Sequence, residues 1–484
     1  MHRVKRRTII QGLSGLAVGA LLDGCGGGGS GQPGTPSASI PQPQPSGPLT
    51  PVPVTISGTG VGTVGARFAG LSYEKDSMAL PRFTPDNATL IGLFRRLGPG
   101  LLRLGASSVD LVHWAPTGAG RTARQVAPSD IDALALFLEQ TGWTILYGVN
   151  LASSTPAEAA AEVAYAVKAL GSSLYGVEFG NECDEYPGHL FPKTWNIKDF
   201  ETLWEEFRGA VLQAAPGVVL TGPGSIAGIS SWTIPFGQKV TKAQIALLTQ
   251  HYYRGNGQSP SSTIAELVSP DQMLRQDLSI LAAGASSIGV PFRITETNSF
   301  FHGGATGVSD TYASSLWVID HLFTMALGGA SGANLHGGGD SNGYTPIADN
   351  GVVVVEARPE YYGVLLFTMA GEGALIATSV AASGLNVTAY TVKSADGTLR
   401  IVIVNKEVNR NLQLNIDCGQ SVNSAQLLIM SGPALDATGG VKIQGASVAA
   451  NGDFSPGSAY TAQIVGSTVT CYADALSAIL LRVS

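Results

Sequence analysis

Eight times between residues 67 and 340 a short apolar run gives way to a helical pattern, and that alternation leaves the chain very few folds to choose from. The runs cover 67–73, 101–106, 143–151, 174–180, 218–222, 245–253, 290–295 and 332–336. Segments between them, such as 129–140, 156–170, 198–214 and 310–327, space apolar residues near 3.6, and most open on Ser, Pro or Asp as helices do. Strands that read as continuous apolar stretches are buried on both faces, which predicts a parallel sheet wrapped in helices. Eight such units predict an α/β fold, a (β/α)8 TIM barrel, with its chemistry where strands end and βα loops begin. Beyond residue 371 the pattern changes to short alternating runs separated by Gly, Asn, Asp and Ser, which predicts a C-terminal β-sandwich. Residues 51–57 also read as a strand, and one that precedes the barrel is a candidate to return and pair with that later sheet.

The two ends complete the layout. Lys5-Arg6-Arg7 followed by the apolar run 13–22 has the charged-then-apolar order of an export signal, and the paired arginines resemble a twin-arginine signal. That run is half the ~20 residues a bilayer-crossing helix needs, so an integral transporter is excluded. Leu22-Asp23-Gly24-Cys25 looks like a bacterial lipobox, making Cys25 the lipidation candidate and an N-terminal lipid anchor the one expected link to a membrane. Residues 26–50 hold 7 Gly and 6 Pro and no charge, too little apolar surface to offset ordering entropy, and read as a tether. The expected organisation is a signal at 1–25, the tether at 26–50, the N-terminal strand segment at 51–66, the barrel at 67–358 and the β-sandwich at 359–484. The expected location is periplasmic or cell-surface.

Charge and cysteines narrow the partners. Beyond residue 24 the chain carries 24 Lys+Arg against 34 Asp+Glu, with no basic cluster past Arg95-Arg96, which excludes nucleic acid. Cys183, Cys418 and Cys471 fit no zinc spacing. Cys418 and Cys471 are open to two readings, a disulfide in an oxidising compartment or a pair of buried thiols.

Two motifs carry chemistry. The fourth apolar run ends in Gly180-Asn181-Glu182 and the seventh in Thr295-Glu296-Thr297-Asn298. Carboxylates ending the fourth and seventh strands of a barrel point into one mouth, where one can protonate a leaving oxygen and the other attack an anomeric carbon. Asn181 adds an amide able to bond a sugar 2-hydroxyl. Gly60-Val61-Gly62-Thr63-Val64-Gly65 matches a dinucleotide loop, but a strand-like run follows it where a helix is required. The seven histidines make no HExxH, so neither a metal nor any other cofactor is expected.

Gly-Asn-Glu after the fourth strand, Glu after the seventh and a β-sandwich behind the barrel resemble clan A glycoside hydrolases. The run Glu296-Thr297-Asn298-Ser299, then Gly303-Gly304, Leu335-His336-Gly337 and Tyr344-Thr345-Pro346, resembles glycoside hydrolase family 79, the heparanase and β-glucuronidase family. That resemblance implies Glu182 as acid/base and Glu296 as nucleophile of a retaining double displacement. It implies Tyr252, in His251-Tyr252-Tyr253, as the tyrosine bonding the nucleophile, Glu74 as the acid gripping sugar hydroxyls, and Ser107 as a small polar residue of the site.

It further implies a substrate with a terminal uronic acid. No Lys or Arg lies between Thr297 and Ile347, so its carboxylate falls to the backbone of Gly303 and Gly304 and the hydroxyl of Tyr344. Phe301 departs from the tyrosine that relatives often carry. The expected activity is that of an exo-acting β-glucuronidase. The alternatives are another clan A glycosidase, whether arabinofuranosidase, endo-glycanase or heparanase-like, and a non-catalytic carbohydrate-binding lipoprotein.

Overall fold

A computed structural model describes residues 40–339 and 343–484. The expectations for 1–39, including the signal and Cys25, lie outside the described residues. Eight parallel strands close into a barrel in sequential order: Ala69–Glu74, Leu101–Gly105, Thr144–Val149, Leu174–Phe179, Leu220–Ser225, Leu247–Asn256, Phe292–Phe301 and Ala333–His336. Nearly every residue of the third and seventh strands is buried, as double-sided burial requires. Sequence sets the helices between them. Thr155 caps the helix Pro156–Leu170 by accepting from the Glu158 amide, Asn196 and Asp199 form a capping box on Ile197–Ala214, and Gly142 ends Pro128–Thr141 at φ 72°. Among the described residues no helix is long and apolar enough to cross a membrane.

The barrel does not end at residue 358. Pro359–Ala370 is a helix packed on Tyr312–Leu327, with Phe367 against Phe68 and Phe323 at 5.5 and 4.7 Å between ring centres. A Cβ on Gly363 would come within 2.2 Å of the Ser315 carbonyl, so the two helices can cross this closely only over a glycine. These residues belong to the barrel wall, and the β-domain starts with the strand Gly373–Val380.

The β-domain pairs its twelve strands in one continuous order, and strands far apart in that order, Thr468–Ala473 and Ala425–Ser431 among them, share a single core, as the layers of a β-sandwich do. Its continuity depends on the N-terminal strand, which is longer than its sequence suggests. Leu49–Val64 runs antiparallel to Gly373–Val380 on one side and parallel to Asn411–Asp417 on the other. Its alternate residues Val52, Val54 and Ile56 enter a second core with Ile401, Ile403, Leu412, Leu414 and Leu481. The described part of the expected tether is fastened to this sheet. Ile40–Pro41 pairs with Tyr460–Thr461, and the Gln42 side chain bonds both the amide and the carbonyl of Tyr472. Composition missed this because those bonds use backbone and one amide, not apolar burial. Cys418 and Cys471 are both free and buried.

The helix Tyr312–Leu327 joins barrel to sheet and is buried along almost its whole length. Tyr390 stacks on Phe323 at 4.5 Å, Asp320 pairs with Lys406, and the Tyr312 hydroxyl donates to the Leu476 carbonyl at 2.8 Å. The same helix backs the seventh strand through His321, whose Nε2 lies 2.9 Å from the Thr297 hydroxyl.

Candidate active site

The fourth strand delivers Glu182 through a strained turn. Gly180 has φ 75°, and a Cβ there would meet the Tyr186 hydroxyl at 2.5 Å and Cys183 Sγ at 2.8 Å. Glu182 itself sits in the left-handed region at φ 49°, ψ 52°, a conformation that costs a non-glycine about 1–3 kcal/mol and concentrates at working sites. Its amide donates to the Gly224 carbonyl at 2.9 Å, fixing it against the fifth strand. Its side chain is about a quarter exposed and reaches the mouth.

Glu296, on the seventh strand, is only 6% exposed. Arg103 Nη1 donates to its Oε2 at 2.7 Å and the Tyr253 hydroxyl to its Oε1 at 2.9 Å. His336 Nδ1 lies 3.9 Å away. Burial pushes its pKa up, but the charges of His336, His251 and Arg103 and the Tyr253 hydrogen bond outweigh that and hold it well below the usual carboxylate range. One oxygen of Glu182, one of Glu296 and a nitrogen of His251 all lie within 4.8 Å of one another. His251 Nδ1 is 2.9 Å from Glu182 Oε1, and its Nε2 is buried with no partner among the described residues.

Arg103 is the residue the sequence reading missed. It is 1% exposed and lies in the barrel floor, with Nε and Nη2 on Glu178, Nη1 on Glu296 and Ser72, and Nη2 on Asn181 Oδ1 at 2.9 Å. It therefore spends the acceptor of the Asn181 amide and leaves the Nδ2 donors, which bond nothing among the described residues, for a ligand. One signal was available: an arginine inside the apolar run Leu101-Leu102-Arg103-Leu104 must meet a buried acid.

The expected role of Tyr252 is corrected. Its hydroxyl donates to Asp271 Oδ2 at 2.8 Å, outside the barrel, while its neighbour Tyr253 bonds the nucleophile candidate. Successive strand residues face opposite ways, so with His251 turned inward only Tyr253 can follow it.

Of the other expected residues, Asn181 and Tyr344 join the cluster. Tyr344 stacks on Tyr253 at 5.9 Å, lies edge-on to His336 at 5.8 Å, and donates its backbone N–H to the Gly303 carbonyl. Gly303 and Gly304 sit at φ 82° and 90°, and their own N–H groups donate to nothing within the described chain. A Cβ on Gly304 would come within 2.6 Å of the Tyr344 nitrogen, so this turn also needs its glycine. Glu74 stands at the rim and spends one oxygen on the Ser108 amide at 2.7 Å. Ser107 is exposed and bonds none of the cluster; Ser108 makes the contacts there, to Glu74 and to the Asp76 amide.

Glu182, His251 and Glu296 are near enough to share a metal ion. A cation there would face the Arg103 guanidinium across the Glu296 carboxylate, and Glu182 already bonds His251 while Glu296 bonds Arg103 and Tyr253.

No family model matches the chain. It is 25% identical over 294 residues to a β-glucuronidase of Aspergillus niger, a match covering 54% of each chain. The chain spans about half the length of the curated relatives it matches. Among solved structures it resembles a 4-O-α-L-rhamnosyl-β-D-glucuronidase from Fusarium oxysporum, with a TM-score of 0.75 at 18% identity over 92% of this chain and 99% of that one. It also resembles a family 51 arabinofuranosidase from Xanthomonas axonopodis, with a TM-score of 0.66 at 14% identity over 90% and 100%. The barrel with its β-domain is thus a fold these glycosidases share.

Proposed function

We propose that this chain is a retaining β-glycosidase, and specifically an exo-acting β-glucuronidase of the family 79 type. The observation that carries the reading is the approach of Glu182 and Glu296 oxygens to within 4.8 Å. Retaining enzymes hold their two carboxyl groups about 5 to 5.5 Å apart, and inverting ones leave about 6.5 to 9.5 Å for a water. Glu296, kept ionised, attacks the anomeric carbon and forms an ester as the bond to the aglycone oxygen breaks. Glu182 gives its proton to that oxygen. Then Glu182 takes a proton from water, the water oxygen attacks the same carbon, and the ester breaks. Asn181, its oxygen held by Arg103, presents N–H groups to the 2-hydroxyl.

Support for a uronate comes from the two relatives named β-glucuronidase and from the unspent N–H groups of Gly303 and Gly304 beside the Tyr344 hydroxyl. The test is hydrolysis of nitrophenyl β-glucuronide against the β-glucoside, β-xyloside and α-arabinofuranoside, together with trapping by a 2-deoxy-2-fluoro glucuronide. The expected results are preference for the glucuronide and an ester on Glu296; an ester elsewhere overturns the assignment. The N-terminal sequence supports a further part of the reading, that the enzyme is exported and held to a membrane by acylation of Cys25. Loss of membrane-bound protein in Cys25→Ala tests it.

A further inference from the structure

Glu360 is a buried carboxyl that the mechanism above does not use. It is the second residue of the helix Pro359–Ala370 and is 1% exposed. Its Oε2 accepts from Asn298 Nδ2 at 3.3 Å, and its Oε1 has no partner among the described residues. Asn298, itself buried, stands two residues beyond Glu296 on the seventh strand. The same Nδ2 donates to the His336 carbonyl at 2.9 Å, and its Oδ1 takes the Ser299 amide at 2.7 Å. His336 ends the eighth strand with Nδ1 3.9 Å from Glu296 Oε2. One amide thus ties Glu360 to the wall that faces the nucleophile.

We propose that Glu360 is a positioning residue for that wall, acting as a neutral acid that fixes the Asn298 amide and, through the His336 carbonyl, the end of the eighth strand. The inference rests on the glycosidase reading for its kinetic consequence. Geometry argues for the neutral form, because an ionised carboxylate here would bury an oxygen with no donor. The charged and titratable groups nearby do not compensate it: Arg358, on its own segment, pairs with Glu356, and His336 turns its ring toward Glu296. Burial accordingly raises the Glu360 pKa to about 8, with the Asn298 amide opposing. Above that pH a new negative charge stands behind the nucleophile strand and competes with the His336 carbonyl for Asn298.

The test uses a dinitrophenyl β-glycoside, whose leaving group departs without acid assistance, so that ionisation of Glu182 drops out of the alkaline limb of kcat/KM. Wild type is expected to decline above about pH 8. Glu360→Gln, which keeps the acceptor and cannot ionise, is expected to stay within about threefold at neutral pH and to lose the decline. Glu360→Ala is expected to lose about tenfold or more in kcat with KM little changed. A Gln variant with the wild-type decline overturns the proposal, as does an Ala variant with wild-type kcat. A crystal structure of Glu360→Ala with Asn298 and His336 unmoved overturns it independently of activity, whereas a wild type inert toward every glycoside overturns the glycosidase reading instead.

Discussion

The Tyr253 hydroxyl donates to Glu296 Oε1 at 2.9 Å, while the adjacent Tyr252 reaches Asp271 on the other side of the same strand. Two neighbouring tyrosines thus make a controlled pair. Hydrogen bonds to a charged group contribute about 1.5–3 kcal/mol, so Tyr253→Phe is expected to lower kcat about 10- to 100-fold. Tyr252→Phe is expected to leave kcat within about threefold and to show only in thermal stability. Steady-state kinetics of the two variants on one aryl glycoside decide the matter; equal losses would mean the strand faces are misassigned.

Arg103 joins His336 and His251 in lowering the pKa of Glu296. Glu296 has a depressed pKa, so its ionised form persists as pH falls below the ordinary carboxylate range. In wild type the acid limb of kcat/KM is therefore expected well below pH 4.5. Arg103→Met removes the cation at 2.7 Å and leaves burial to raise the pKa, so the limb is expected to move upward by at least about one unit. A profile from pH 3 to 7 reads this directly, and an unmoved limb would show that the histidines alone hold the charge.

The fold was legible where one physical signal dominates. All eight barrel strands announce themselves as doubly buried apolar runs, and Glu182 follows from where the fourth ends, whereas Glu296 lies within the seventh, which continues past the expected end to Phe301. The sequence is silent where the determining partner is remote. Arg103 reads as an oddity until Glu178, Asn181 and Glu296 surround it, and the choice between Tyr252 and Tyr253 turns on strand facing, which a shift of one residue inverts. The helix Pro359–Ala370 was hidden because both of its faces are buried, so its apolar pattern lacks the one-sided stripe that marks a surface helix.

The roles proposed for Glu182 and Glu296 are separable by leaving group. Glu182→Ala is expected to lose about 100-fold or more on a poor leaving group but to keep the first step on a dinitrophenyl glycoside. It should also be rescued by azide, which replaces the water that Glu182 would activate. Glu296→Ala is expected to abolish turnover on both substrates, with no gain in double displacement from azide. Product analysis by NMR reads the outcome: a β-glycosyl azide from the Glu182 variant assigns the roles, and one from the Glu296 variant reverses them.

Asp110 holds three loops of the mouth together. Its Oδ1 accepts the Leu151 and Ala152 amides at 3.0 and 3.1 Å, and its Oδ2 accepts the Asn181 amide at 3.2 Å and the Tyr186 hydroxyl at 2.6 Å. Asp110→Ala strands four donors in a site that is 1% exposed, and unsatisfied buried groups cost about 1–3 kcal/mol each before relaxation. Water entering the gap offsets part of that, so a net loss of about 3 kcal/mol in urea unfolding is expected. Catalysis should suffer separately, because the Asn181 backbone positions both its own amide and Glu182 beside it. Asp110→Asn keeps one acceptor oxygen and turns N–H groups toward the donors on the other side. It is therefore expected to fall between wild type and Ala in stability while losing kcat nearly as severely, and an Asn variant with wild-type kcat would show that the Asn181 turn holds its shape without this carboxylate.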